Sequence, residues 1–246
     1  MSEPLLSVRL WVDYPGKPNA IDGAAFEIQP GEIFGLAGAS GSGKSTIGLA
    51  ILRLVHLRGG RPRGEVRFDG RDMLSMRERD LRRLRGSQIS LVLQSPAAAL
   101  NPVLRLGSQL REAWQIHSPV PWREARRGAE ALLHQMGLPA GEEFLRRYPG
   151  QISVGQAQRV VIAMAMLHRP KLIIADEPTS ALDLDARGGI LDLLAALNTE
   201  RHTAILYISH DLDSMRRLCH RMAVLQSGRI QEPARYNSSE CRTLAR

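Results

Sequence analysis

Nine consecutive residues, Gly38-Ala39-Ser40-Gly41-Ser42-Gly43-Lys44-Ser45-Thr46, fit the pattern G-x-x-x-x-G-K-[ST]. Glycines carry no Cβ, so successive backbone N–H groups can turn inward around a chain of phosphates. A helix opening at the lysine adds oriented donors and partial positive charge. Lys44 is placed to reach the outer phosphates of a nucleoside triphosphate, and the Ser45 hydroxyl to ligate Mg²⁺. A glycine-rich turn that merely precedes a helix has no need of a lysine followed by two hydroxyls.

A second group of residues completes such chemistry. Leu172-Ile173-Ile174-Ala175-Asp176-Glu177 is an apolar strand ending in two carboxylates, which are costly there unless a cation or a reaction uses them. Asp176 is suited to hold Mg²⁺, and Glu177, one residue on and so turned away, to polarise a water attacking the terminal phosphate. The alternative, an acidic helix cap before Pro178, leaves the pairing with Lys44 unexplained. His210 follows the strand Ala204–Ile208 and Ser209, where an imidazole can hydrogen-bond the terminal phosphate and orient that water. Gln94 ends the strand Ile89–Leu93, and its side-chain oxygen can ligate Mg²⁺ or the water. Lys44, Glu177 and His210 are the catalytic candidates. The other six histidines read as bystanders.

The elements that must position these groups follow from periodicity. Residues 5–14 and 24–29 read as strands separated by the turn Pro15-Gly16-Lys17-Pro18-Asn19, and Ile33–Ala37 as a short buried strand leading into the glycine loop. Ile47, Ala50, Ile51 and Leu54 carry a helix over 45–56. Further strands are expected at 64–69, 89–93, 171–175, 204–208, 222–225 and 229–231, and helices at 185–199 and 211–219. Residues 95–169 are mainly helical in pattern. Alternating strands and helices predict an α/β sheet with an inserted helical block.

Composition narrows the classes. The 246 residues suit one large domain or one and a half, with 43% hydrophobic and 24% charged residues. The longest apolar run, Val160–Leu167, has eight residues, far short of the roughly 20 of a membrane span. The first residues have neither the basic region nor the apolar stretch of a signal peptide. Cys219 and Cys241 are too few for a disulfide framework or a four-cysteine zinc site and read as free thiols. The net charge is +8, from 33 basic and 25 acidic residues. The densest run, Arg77–Arg85, spaces Leu81 and Leu84 on one helix face and reads as a solvated surface helix.

Gly38–Thr46, Gln94, Ile152-Ser153-Val154-Gly155-Gln156, Asp176-Glu177, Ser180-Ala181-Leu182-Asp183 and His210 follow one another in the order found in ABC-type ATPase subunits. The chain resembles that family over about residues 5–231. The resemblance implies a phosphate-loop NTPase core of the RecA-like kind, with an antiparallel β subdomain and an inserted α-helical subdomain. Residues 1–94 and 170–232 would form the core and β subdomain, 95–169 the helical signature subdomain, and 233–246 a polar tail. It implies ATP and Mg²⁺ as ligands. It also implies that two subunits close head to tail, so that Ser153, Gly155 and Gln156 contact the partner's ATP and Asp183 lies in a loop that communicates across the interface. Tyr14, 30 residues before Lys44, matches the aromatic that stacks on adenine, with Trp11 a weaker stand-in.

Two features refine the resemblance. Val154 stands where the family usually has glycine. Ser153 through Gln156 also reads as a capping box, with Val154 at the first helical position, where a β-branched residue is tolerated but its side chain crowds an approaching phosphate. Gln94-Ser95-Pro96-Ala97-Ala98-Ala99-Leu100-Asn101-Pro102, Tyr148-Pro149 and Ile174–Asp183 resemble the peptide and nickel importer branch. That branch often carries a longer C-terminal extension than a chain stopping at Arg246, an expectation compatible with a shorter metal-importer-like subunit. The implied partners are a second ATPase subunit (identical or paralogous), integral membrane permease subunits docking near Gln94–Arg105, and indirectly a solute-binding protein, at the cytoplasmic face of the inner membrane. No nucleic-acid partner is expected. Two other classes stay open on the residues alone: an ABC-type ATPase acting on nucleic acid in repair or translation, which the +8 charge suits, and a small-molecule kinase built on the same loop.

Overall fold

The structure, a computed structural model, describes residues 3–139 and 141–234. The chain forms two units, Met1–Arg82 with Leu197–Arg246, and Arg83–Ala196. The first opens with β1 (Leu6–Tyr14), whose buried Leu6, Val8, Leu10 and Val12 alternate with more exposed residues. β2 (Lys17–Ile28) pairs antiparallel with it, from Leu6 opposite Ile28 to Tyr14 opposite Lys17. The hairpin is therefore a two-residue turn at Pro15-Gly16, with Gly16 at φ +74°, and β2 begins seven residues before the expected 24. Two register shifts in the β1–β2 pairing absorb the irregular alternation; Lys17 pairs with Tyr14, and Asn19 turns left-handed at φ +51° with its N–H donating to Asp13 Oδ1 at 2.8 Å, although the side chains of 17–19 are exposed.

β3 (Ile33–Ala37), wholly buried, leads through the glycine loop into α1 (Lys44–Ile51). The helix stops earlier than the expected 56 because Arg53 turns left-handed at φ +52°. Its guanidinium is held there by the carbonyls of Leu74 and Met76 and by Glu78 at 3.0 Å. Val55–Arg58 forms a separate 3-10 turn. β4 (Arg61–Phe68) and β5 (Arg71–Asp72) complete an antiparallel sheet ordered β2-β1-β4-β5. α2 (Glu78–Leu84) has the anticipated form, burying Leu81 and Leu84 while its arginines face solvent.

In the second unit, β6 (Ile89–Val92) pairs in parallel with β7 (Leu172–Asp176), Ile89 opposite Leu172 and Val92 opposite Ala175. Between them lie α3 (Pro96–Ala99), α4 (Leu106–Gln115), α5 (Trp122–Gln135), α6 (Glu142–Leu145) and α7 (Val154–Met166). β7 is buried throughout, and α8 (Leu184–Arg201) follows.

The chain returns to the first unit with β8 (Ala204–Ser209), α9 (Leu212–Leu218), β9 (Arg221–Gln226) and β10 (Arg229–Ala234). Within that unit β3 pairs in parallel with both β8 and β9, and β10 closes antiparallel on β9. Cys219 is a free, largely buried thiol whose pKa is pushed up to about 12 by burial. Cys241 and residues 235–246 of the expected tail lie outside the described residues, whereas Pro233 and Ala234 belong to β10. Among the described residues no helix is long and apolar enough to cross a membrane.

Candidate functional site

In the first unit the loop after β3 is shaped by its glycines. A Cβ on Gly38 would lie 2.5 Å from the Leu225 carbonyl oxygen and 2.7 Å from Ser42 Oγ, and one on Gly43 would lie 2.6 Å from Ile21 Cδ1. Gly43, at φ +106°, is the cap from which α1 springs, and Ile47 N donates to its carbonyl at 3.1 Å. Ala39, Ser40 and Gly41 are exposed at the loop's crest, Gly41 at φ +77°. Lys44 is 5% exposed, and its Nζ donates to the carbonyls of Gly38 at 2.8 Å and Ala39 at 3.0 Å. The ammonium is thus drawn back under the loop at its first residue. Ser45 and Thr46 occupy the first turn of α1, which carries no acid, so a phosphate there would meet the positive end of the helix unopposed by nearby carboxylates in that turn.

Tyr14 ends β1 and its hydroxyl lies 3.3 Å from Thr46 Oγ1, which ties this aromatic to the helix that carries Lys44. Trp11 is instead occupied covering Gly23 and Gly64 on the antiparallel sheet. His210, exposed, follows β8 and stands between two side-chain locks. Ser209 Oγ accepts from Asp211 N at 3.0 Å, and Asp211 Oδ1 accepts from Asp213 N and Ser214 N as the cap of α9. Sequence reasoning passed over Asp211; its signal is an acid two residues after a strand and directly before a helix.

In the second unit β7 delivers Asp176 at its buried end, 8% exposed. Glu177 follows at φ +48°, a left-handed conformation uncommon for glutamate. Its carbonyl accepts from Ser180 N at 3.2 Å and Ser180 Oγ at 3.1 Å, so the turn is fixed by Ser180. Gln94 Nε2 lies 3.4 Å from Glu177 Oε2, bringing together two of the predicted site residues. Asp183 caps α8, its Oδ1 accepting from Ala186 N at 2.8 Å. The helix cap considered for Asp176-Glu177 therefore belongs to Asp183.

The expected capping box is present at α7. Ser153 Oγ accepts from Gln156 N at 3.2 Å and Gln156 Oε1 accepts from Ser153 N at 3.1 Å. Val154 occupies the first helical position with its side chain 52% exposed. A Cβ on Gly155 would lie 3.5 Å from Ala186 Cβ, so the α7 start and the α8 start are neighbours.

The ABC transporter family model matches residues 21–180, which span the phosphate loop, the Ser153–Gln156 cap and the Asp176-Glu177 pair. The chain belongs to the ABC transporter family. It is 42% identical over 236 residues to the peptidoglycan transport ATP-binding protein YejF of Agrobacterium fabrum, covering 94% of this chain and 43% of that one. It is 38% identical over 220 residues to the oligopeptide transport ATP-binding protein OppD of Bacillus subtilis, covering 89% and 62%. The chain thus spans about half the length of these relatives. Among solved structures it resembles the dimeric, post-hydrolysis ATP-binding cassette MJ0796 bound to ADP and Pi, with a TM-score of 0.79 and 28% identity over 94% of this chain and 99% of that one.

For a member of this family the donor chemistry is apt. Ser45 carries a hydroxyl, Asp176 a carboxylate and Gln94 an amide oxygen, and each is of the hard-oxygen class that Mg²⁺ takes. Among the described residues no group of three His, Cys, Asp or Glu could hold a metal by itself.

One further residue escaped sequence reasoning. Gln109, 5% exposed on α4, accepts from Asn101 N at 2.8 Å and donates to the carbonyls of Asn101 and Leu104, both at 3.0 Å. It clamps the segment that presents Val103, 75% exposed. Gln109→Leu strands one donor and two acceptors, at about 1–3 kcal/mol for each group that water does not reach. The expected result is a stability loss of about 2 kcal/mol, a Tm lower by about 4–8 °C, and loss of hydrogen-exchange protection at the Asn101 amide. Unchanged protection there would show that the clamp does not hold the segment.

Proposed function

We propose that this chain is the ATP-binding and ATP-hydrolysing subunit of an importer, powering uptake of peptides, nickel or a related small solute through membrane subunits. The observation that carries the reading is the cradle Gly38–Thr46, closed by Lys44 and matched in a family whose similar members are named for peptidoglycan and oligopeptide transport. The cradle's N–H groups and Lys44 would bind the phosphates of ATP, and Tyr14 would stack on the adenine. Ser45, Asp176 and Gln94 would hold Mg²⁺, which when bound neutralises charge on the outer phosphates.

Glu177 would take the proton of the attacking water. Gln94, with its nitrogen toward Glu177, offers its oxygen to the same water. His210, fixed by the Ser209 and Asp211 locks, would donate to the terminal phosphate. Release of Pi and a proton completes the balance. Ser153, Gly155 and Gln156 would meet ATP held by a second ATPase chain, identical or paralogous, and Asp183 would lie at the same interface. Permease subunits would dock near Gln94–Arg105, placing the chain peripherally at the cytoplasmic face of the membrane.

The test is product analysis. The chain assembled with its membrane subunits should release inorganic phosphate from Mg-ATP with no phosphorylated acceptor; a phosphorylated small molecule would identify a kinase instead. Val154 provides a finer measure. Its isopropyl group, exposed at the start of α7, would crowd an approaching phosphate, and a clash of a few carbons costs about 1 kcal/mol or more. Val154→Gly is therefore expected to raise turnover in the assembled complex by about fivefold. An unchanged rate would show that the side chain does not hinder the phosphates.

A further inference from the structure

The second unit holds a cleft, remote in sequence from the phosphate loop and catalytic carboxylates, with a volume of about 170 Å³. Its walls carry four arginines: Arg105 and Arg111 on either side of Ser108 along the start of α4, Arg126 on α5, and Arg146 after α6. Spacings of three residues put Arg105, Ser108 and Arg111 on one face. A Cβ on Gly107 would come within 3.1 Å of Leu145, so glycine there permits the close approach of α4 to α6 that forms the cleft.

The four guanidinium groups are not equivalent. Arg126 reaches Glu142 at 2.6 Å and Glu130 at 2.8 Å, and Arg146 reaches Glu142 at 2.8 Å. These contacts fasten α5 to α6, and they hold the Glu142 carboxyl below and the Arg126 guanidinium above their ordinary ranges. Arg105 and Arg111 take no part in that network and form no ion pair among the described residues. Arg105 lies only over the Tyr148 ring, at 5.9 Å. With Glu142 on the wall and Glu130 behind Arg126, four positive charges face two negative ones. Arg105 and Arg111 are exposed, and the helix packing that Arg126, Glu142 and Arg146 secure makes no use of their charge.

We infer that this cleft binds a phosphate-bearing anion, supplied either as a phospholipid head group or as a free phosphate. A tetrahedral phosphate presents several acceptor oxygens in different directions, matching forks from α4 on one side and from α5 and α6 on the other; a planar carboxylate engages one or two forks at most. The Ser108 hydroxyl adds a donor, and half-buried Trp122 gives the mouth an apolar wall. The inference is independent of what the phosphate loop does.

The test uses the full chain and the double variant Arg105→Ala/Arg111→Ala, which leaves the Arg126–Glu142–Arg146 network intact; thermal unfolding checks that it folds. One arm measures flotation with phosphatidylcholine vesicles, with and without phosphatidylglycerol. The other follows the Gly107 and Ser108 amides by NMR during titration with inorganic phosphate, a local readout that binding at the phosphate loop does not move. Flotation that requires phosphatidylglycerol and weakens about twentyfold in the variant assigns the site to a lipid head group. Shifts at Gly107 and Ser108 that vanish in the variant, without flotation, assign it to a free phosphate. Flotation undiminished in the variant, or no response in either arm, overturns the proposal.

Discussion

Glu177→Gln is expected to lower ATP hydrolysis by about two to four orders of magnitude, the range a positioned general base contributes. The substitution keeps the size of the side chain and removes only its capacity to take a proton. The left-handed turn at φ +48° is fixed by the two Ser180 bonds to the Glu177 carbonyl, which a side-chain amide leaves untouched. Gln94 can still meet the new amide, so the local geometry survives. Nucleotide affinity should then hold within a few fold, and ATP-bound dimers should accumulate because closure occurs and reset does not. The measurements are single-turnover phosphate release and the dimer fraction by light scattering with ATP. Undiminished phosphate release would remove Glu177 from the proton-transfer step. A loss of ATP affinity equal to the loss of rate would point to a folding defect instead.

Why the chain reveals some of this and hides the rest follows from the range of the forces involved. β3 and β7 are legible because every residue is buried, which yields short unbroken apolar runs closed by glycine or acid. The phosphate loop is legible because its backbone turns left-handed at Gly41 and Gly43, φ +77° and +106°, which calls for glycine in the sequence itself; the contacts that leave no room for a Cβ at Gly38 and Gly43 come from distant Leu225 and Ile21. The capping box at Ser153 is legible too, being local. The early start of β2 is not, because pairing with β1, rather than the exposed Lys17-Pro18-Asn19, makes it a strand. The end of α1 is hidden as well, since nothing in the identity of Arg53 announces a left-handed turn; carbonyls some 20 residues away hold it.

Site residues divide in the same way. Asp176 and Glu177 stand out as acids at an apolar strand end, but the conformation of Glu177 depends on Ser180, and its neighbour Gln94 lies 83 positions away. The family resemblance makes Asp183 an interface residue, and it is also a helix cap; one carboxylate can serve both because capping uses Oδ1. Gln109 carries no signal, being a polar residue on a helix until its three bonds to 101–104 are seen. The arginine cleft gathers residues spread over 105–146, and the sequence shows only an ordinary scatter of charge there.

Lys44→Ala is expected to weaken ATP binding by about thirty- to a hundredfold. A hydrogen bond between charged partners contributes about 1.5–3 kcal/mol, and each 1.4 kcal/mol is a factor of ten in affinity. The lysine does more than supply charge. At 5% exposure, with Nζ on the carbonyls of Gly38 and Ala39, it ties the start of the glycine loop to the first residue of α1. Alanine leaves those carbonyls to water near the exposed crest, so the unliganded chain should lose little stability. The informative quantity is the rise in Tm on adding Mg-ATP, which reports binding to the folded state alone. In the wild type it should grow with ATP concentration; in Lys44→Ala the same rise should need at least tenfold more ATP. Lys44→Arg should fare poorly as well, because a planar fork cannot sit between two carbonyls and still meet a phosphate end-on as a compact ammonium does. A Lys44→Ala chain with wild-type affinity and an unchanged Tm response would mean that the triphosphate binds elsewhere, and with it would fall the roles of Ser45 and Asp176 in holding Mg²⁺ and of Glu177 in activating water.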